Sequence, residues 1–170
     1  MSPMKIKAGV LTLSDRASRG EYEDLSGPAI VDSLDARPEF DVVWDRVEIH
    51  PDEEAAIAKV LRSWSDEAAL DLILTTGGTG PAPRDRTPEA TRAVLDMEIP
   101  GIPEAMRASV RDRVPTAALT RGIAGIRGHT LIINLPGSPK AVRESMEVLF
   151  GFLEHLLEKI KGDPGECGSE

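Results

Sequence analysis

A single cysteine, Cys167, stands in a chain of 170 residues. One cysteine cannot close an internal disulfide, so a disulfide framework is excluded and a reducing cytoplasm is the compartment that fits. Its neighbours in the terminal stretch Gly162-Asp-Pro-Gly-Glu-Cys-Gly-Ser-Glu170 are acidic or small, a setting that does not favour a thiolate and argues against a catalytic thiol. Long apolar runs are missing as well. No stretch approaches the roughly 20 apolar residues of a membrane span, and the lysines of Met1-Ser-Pro-Met-Lys-Ile-Lys7 are not followed by the apolar segment of a signal peptide. Positive charge is in deficit, with 20 Lys and Arg against 29 Asp and Glu and a net charge of −9. Such a field disfavours nucleic acid and anionic membranes, which both reward a basic face. It still permits an anionic substrate in a locally positive pocket. His50, His129 and His155 lack metal-ligand spacing, so no zinc site is read. With no repeat, low-complexity tract or linker, residues 1–162 read as one domain and 163–170 as a flexible tail.

What is present is an alternation of strands and helices. Hydrophobic residues make up 41% and charged residues 29%, the composition of a soluble globular chain long enough to bury a core. Ile6–Leu13, Asp41–Ile49, Leu70–Leu74 and Thr130–Leu135 read as strands. Between them, helices are expected from about Ser26 (a candidate cap) to Leu34, and after Pro51 with Ile57, Val60, Leu61 and Trp64 on the buried stripe. Further helices are expected from Thr87, from Pro103 to about Asp112 with Met106 and Val110 inward, and as one long helix after Pro136 that ends at Gly162. Trp44 and Trp64 read as core. The alternation predicts a three-layer α/β/α fold with a mostly parallel central sheet.

In such sheets ligands bind where strands end and loops lead into helices. Thr12-Leu-Ser-Asp15, Thr75–Asp85 and Leu135-Pro-Gly-Ser-Pro-Lys140 are three such places, and neighbouring strands would bring them to one edge. Ser14 and Asp15 close the first. In Thr75-Thr-Gly-Gly-Thr-Gly80, three glycines (Gly77, Gly78, Gly80) among the hydroxyls of Thr75, Thr76 and Thr79 let successive N–H groups face an anion. No Gly-Lys-Ser/Thr follows, so this is not a Walker A loop, and Gly-x-Gly-x-x-Gly is not formed. Arg84 and Arg86 suit phosphate by bidentate donation, or pair with Asp85 at the surface. Asp85, flanked by two arginines, should stay ionised and suits a Mg²⁺ ligand better than a general acid. Asp52 reads first as a helix N-cap. Pro136, Gly137 and Ser138 lead into a helix whose N-terminus, with Lys140 nearby, suits an anion.

Ser14-Asp15-Arg16, Pro51-Asp52-Glu53, Thr76-Gly-Gly-Thr-Gly80 with Pro83-Arg84-Asp85 and Thr87-Pro88-Glu89, Ile126-Arg-Gly128, and Leu135-Pro-Gly-Ser-Pro139 occur in this order. Together they resemble the molybdopterin adenylyltransferases, including MogA-type enzymes and the G domains of gephyrin and its plant counterpart, over roughly Lys5 to Lys161. The resemblance implies Mg²⁺-dependent transfer of AMP from ATP to the terminal phosphate of molybdopterin, with release of pyrophosphate. It implies that Asp52 and Asp85 serve the adenylylation step as catalytic and metal-binding carboxylates, and it implies a homotrimer. A molybdenum-insertion protein would act downstream. Ser138 stands where many relatives carry Asn, and both can cap a helix and donate to an anion. A non-catalytic molybdopterin-binding scaffold of the same fold is the alternative.

Overall fold

Runs rich in β-branched residues and leucine become strands, and their order places the loops. The computed structural model describes residues 2–162; the 163–170 segment and Cys167, read above as a tail, lie outside the described residues. Six strands, β1 (Met4–Leu13), β2 (Phe40–His50), β3 (Leu72–Thr76), β4 (Met97–Glu98), β5 (Ala124–Arg127) and β6 (Thr130–Leu135), form one sheet ordered β2-β1-β3-β6-β5-β4. β2, β1, β3 and β6 run parallel, β5 pairs antiparallel with β6, and β4 pairs antiparallel with β5 at the edge, so β5 alone runs against the rest. The helices are α1 (Asp15–Ser18), α2 (Ser26–Asp35), α3 (Glu54–Asp66), α4 (Thr87–Arg92), α5 (Gly101–Val110), α6 (Pro139–Phe150) and α7 (Leu153–Ile160), with a 3₁₀ turn at Pro115–Leu119.

Side-chain alternation along the strands divides the core into two layers. Leu72 and Leu74 of β3, with Leu131, Ile133 and Leu135 of β6, pack against α2, α5, α6 and α7 through Ile30, Met106, Val142 and Leu157. Ile73 and Ile132 point the other way, onto Ile57, Leu61 and Trp64 of α3 and Ala90 of α4. Each such fully buried leucine or isoleucine contributes about 1.5–3 kcal/mol, so the core rests on the parallel strands and their flanking helices. This is the expected three-layer arrangement. Among the described residues no helix is long and apolar enough to cross a membrane.

Several local expectations are corrected. The long C-terminal helix is two helices, α6 and α7, because the chain turns at Gly151 and Phe152 and lets both pack on the sheet. Ser26 is the first residue of α2 and not its cap; the N-cap position falls on Leu25, and Asp24, one residue earlier, accepts through Oδ1 from the N–H groups of Ser26 (3.1 Å) and Gly27 (3.0 Å). Trp44 is half-buried, with its indole N–H donating to Asp35 Oδ1 at 2.8 Å. Val110 is only half-buried. β2 is an edge strand, and Val43, Val47 and Ile49 on it are exposed. Gly162 does end α7 as expected: it has φ 84° and donates to Lys159 O at 3.0 Å.

A composite site at the carboxyl edge of the sheet

Because β1, β3 and β6 are adjacent, parallel and in register, Thr12, Thr76 and Leu135 lie side by side. The three loops that follow therefore emerge at one edge, as the sequence suggested, and β2 adds a fourth. Ser14 and Asp15 follow β1, Asp52 follows β2, Gly77–Asp85 follow β3, and Pro136–Lys140 follow β6. Every residue expected in the site lies in one of these loops, at the strand end before it or in the helix turn that it enters.

The glycine loop is pinned from several sides. Thr76 Oγ1 donates to Pro136 O at 2.7 Å, Gly77 N–H donates to Leu135 O at 3.3 Å, and Gly77 Cα lies 3.4 Å from where a Cβ on Gly137 would stand. The loops after β3 and β6 thus abut through main chain. Thr87 at the start of α4 holds two loop carbonyls, donating from Oγ1 to Gly77 O at 3.0 Å and from its N–H to Gly78 O at 3.1 Å. Gly77 (φ 92°) and Gly78 (φ 65°) are both left-handed; a Cβ on Gly77 would strike Leu13 O, and one on Gly78 would strike Thr87 Oγ1. Only glycine fits this path. With the carbonyls turned toward α4, the N–H groups of Gly78, Thr79 and Gly80 find no acceptor among the described residues. A run of such donors forms an anion-binding concavity. Between the loops after β1, β3 and β6 lies a cavity of about 130 Å³, lined by Thr12, Ser14, Tyr22, Asp24, Gly77 and Gly137 among others.

Charged groups link the loops laterally. Asp15 N–H donates to Asp52 Oδ2 at 3.1 Å, and Asp52 N–H donates to Asp15 Oδ1 at 3.0 Å. Arg84 forks onto Asp15, from Nε to Oδ2 and from Nη2 to Oδ1, both at 3.0 Å, and reaches Glu53 Oε1 at 3.1 Å. Arg86 grips Glu54 Oε2 at 2.9 and 2.7 Å. The two arginines therefore neutralise carboxylates on neighbouring loops, not Asp85 between them. Asp85 instead turns Oδ2 back on its own loop and accepts from Ala82 N–H at 3.0 Å.

Asp52 is not a helix N-cap. That position falls on Glu53, which makes no side-chain cap bond, because Asp52 is committed to Asp15 across the strand ends. Its other oxygen, Oδ1, is buried without a hydrogen-bond partner among the described residues. Burial pushes the Asp52 carboxyl above the usual range, helped by the charges of Asp15 and Asp85 and opposed by the Asp15 hydrogen bond and Arg84. Asp15 is held below the usual range by hydrogen bonds from Arg84 and from the Asp52 main chain. Ser14 caps α1 by accepting from Ala17 N–H at 3.1 Å, and Ser138 caps α6 by accepting from Ala141 N–H at 3.2 Å. Lys140 is exposed in the first turn of α6.

Two residues missed in the sequence also support the site. Asn134 is fully enclosed in β6, where its amide donates to Thr75 Oγ1 (3.0 Å) and Thr91 Oγ1 (2.9 Å) while Oδ1 accepts from Ile123 N–H (3.2 Å). A lone amide in the apolar run Thr130–Leu135 was the available signal, since a buried polar group requires partners. Arg121 donates to Gly80 O, Asp85 O and the Glu89 carboxylate. Its partners lie at least 32 residues away, and no local pattern announces it.

A mostly parallel sheet with a glycine-rich loop and paired carboxylates at its carboxyl edge defines an α/β domain whose candidate site lies where ligands bind in such sheets. The chain belongs to the family described as "Probable molybdopterin binding domain", whose model matches residues 9–155. It is 48% identical over 158 residues to the molybdopterin adenylyltransferase of Helicobacter pylori J99, covering 93% of this chain and 89% of that protein. The Escherichia coli K12 molybdopterin adenylyltransferase is 44% identical over 144 residues, 84% of this chain and 72% of that one. In structure, the chain is similar to the molybdopterin biosynthesis enzyme MoaB from Thermus thermophilus, with a TM-score of 0.86, 51% identity, and coverage of 95% and 99%.

Proposed function

We infer that this chain is a molybdopterin adenylyltransferase acting in molybdenum cofactor biosynthesis. In this reaction an oxygen of the terminal phosphate of molybdopterin attacks the α-phosphorus of ATP, a new P–O bond forms, and the bond to the β-phosphate bridging oxygen breaks. Adenylyl-molybdopterin and pyrophosphate result. The nucleophile is already an anionic phosphate oxygen, so no general base is needed. Catalysis then rests on positioning and on offsetting charge.

The observation that carries this reading is the row of unpartnered N–H groups at Gly78, Thr79 and Gly80, beside the orphaned buried Asp52 Oδ1. The N–H row takes phosphate oxygens. Ser138 and the first turn of α6 take a second anionic group, with Thr76, Pro136 and Gly137 shaping the passage between. Ser14, Asp15 and Arg84 line the same edge, where Arg84 offsets the Asp15 and Glu53 carboxylates, and exposed Lys140 adds positive charge in an otherwise acidic protein.

The site fits Mg²⁺. The available donors are hard carboxylate oxygens, and Asp52 Oδ1 is a desolvated acceptor lacking a partner. Among the described residues no group of three or more His, Cys, Asp or Glu side chains could hold a metal alone. Mg²⁺ is commonly bound through one or two carboxylates and completed by substrate phosphates. Asp52 and Asp85 are the residues that would hold it. When bound, the ion would offset charge on the phosphates of ATP and on the leaving pyrophosphate. Asp52 Oδ1 is kept in place by the bond between its Oδ2 and Asp15 N–H, and Asp85 by its loop.

A homotrimer, a cytoplasmic setting and hand-over to a molybdenum-insertion protein accompany this reading, with neither nucleic acid nor membrane as partner. The test is direct: purified protein given ATP, Mg²⁺ and molybdopterin releases pyrophosphate. Binding of molybdopterin without pyrophosphate release would instead make the chain a scaffold.

A further inference from the structure

The glycine loop makes an exposed excursion, Pro81–Arg84, between Gly80 and Asp85. Within it Asp85 N–H donates to Ala82 O at 2.9 Å, but such a turn can still rock as a body. Its two feet are joined by one side chain from elsewhere in the fold. Arg121 Nε donates to Gly80 O at 2.9 Å and Nη2 to Asp85 O at 2.7 Å. The Arg121 main-chain N–H adds a bond to Thr79 O at 2.7 Å. The remaining face of the guanidinium is taken by Glu89 in the first turn of α4, through Nη1. Burial alone would raise the Glu89 carboxyl, but hydrogen bonding by Arg121 and the main chain, with the charges of Arg121 and Arg86, holds it below the usual range.

The base of this clasp is itself fixed. Ile123 N–H donates to Asn134 Oδ1, and Asn134 N–H donates to Ile123 O at 2.9 Å, so the segment carrying Arg121 is stitched to β6. Asn134 also holds Thr75, directly before the loop. A planar guanidinium satisfies two carbonyls and a carboxylate in fixed directions, which an ammonium cannot do.

We propose that Arg121 is a positioning residue for adenylyl transfer, clasping Gly80 to Asp85 so that the loop N–H groups and the Asp85 carboxylate meet the phosphates in register. This rests on the reading of the glycine loop as the phosphate-handling element. Arg121 touches no reacting atom in this role; it acts through the loop. The cost of losing it falls on kcat, since misplacing catalytic groups by about 1 Å can cost ~10²-fold.

The experiment compares wild type with Arg121→Lys and Arg121→Gln. It measures pyrophosphate release at varied ATP, molybdopterin affinity, thermal midpoint, and amide exchange across residues 79–89. The expected result is a fall in kcat of about 10²-fold, molybdopterin affinity within about threefold and a thermal midpoint within a few degrees. Faster exchange confined to residues 79–89 should accompany it. Unchanged kcat in Arg121→Lys, unchanged exchange in both variants, or a loss of activity that follows the folded fraction would each overturn the clasp. An inactive wild type would overturn the transferase reading and this inference with it, whereas an active wild type with indifferent variants overturns the clasp alone.

Discussion

Asp15 and Asp52 hold each other's main chain, each carboxylate accepting the other's N–H at 3.0–3.1 Å. This reciprocal bond ties the loop after β1 to the loop after β2 and spends one oxygen of each residue. For Asp52 the remaining oxygen, Oδ1, is left buried next to Gly78, 2.9 Å from where a Cβ on that glycine would stand. The pair thus leaves a desolvated acceptor beside the glycine loop, a placement that lowers stability and, on the function proposed above, suits a cation brought in with phosphates.

Asp52→Asn should separate these two effects. The folded-state pKa of Asp52 is raised by burial, so its favourable contribution is full below the unfolded value and is lost as pH rises through the folded one. Above the folded-state pKa the ionised carboxylate, whose Oδ1 lacks a partner, weighs against the fold. The variant should therefore melt higher than wild type at neutral pH, with the gap closing as pH falls toward about 4. Pyrophosphate release should fall by at least ~10²-fold. A lower melting temperature at neutral pH would mean that Asp52 serves mainly as a structural tie.

Asp85→Asn should abolish adenylyl transfer while leaving molybdopterin binding largely intact. The amide can keep an acceptor for Ala82 N–H, now 3.0 Å from Asp85 Oδ2, so the loop turn survives and only the charge is removed. Turnover and molybdopterin affinity, measured on the same preparation, decide the point. If both fall together, Asp85 does not serve the nucleotide side of the reaction.

Ser138→Ala removes the bond from Ala141 N–H that starts α6, a loss of about 1 kcal/mol for a helix cap. If Ser138 also contacts a phosphate, molybdopterin affinity should drop by more than this cap loss accounts for. Fluorescence titration beside thermal melting reads both quantities. Equal affinity in the variant would leave Ser138 a cap and nothing more.

The parts of this site that are legible in the sequence are those fixed by local chemistry. The run Thr75–Gly80 announces a tight glycine loop at a strand end, and Ser138-Pro139 announces a helix start, because glycine conformations and caps are set within a few residues. Periodicity likewise yields β1, β3, β6 and α3. Asp52 misleads because a cap and a cross-strand clasp look alike until β1 and β2 are seen to be neighbours. Arg84 and Arg86 mislead for a similar reason, since their partners belong to other loops. β4 and β5 are too short, at two and four residues, to carry an alternation, and Arg121 is defined wholly by distant partners. The C-terminal helix reads as continuous because its apolar stripe continues through the turn at Gly151.

Two glycine substitutions can measure how tightly the nest is built. Gly78 and Gly128 both have positive φ, 65° and 56°. Alanine at either position meets left-handed backbone strain of about 1–2 kcal/mol. Around Gly128 there is open space, so Gly128→Ala should show that strain alone, with pyrophosphate release unchanged. At Gly78 the added methyl would press on Thr87 Oγ1 and lie 2.9 Å from Asp52 Oδ1. Thr87 cannot retreat cheaply, because it is buried and its Oγ1 donates to Gly77 O. Gly78→Ala should therefore melt lower than Gly128→Ala and lose pyrophosphate release even below its melting range. Equal melting temperatures with full activity in both would show that the loop can shift outward from Thr87 and Asp52, and that the nest does not depend on close packing at Gly78.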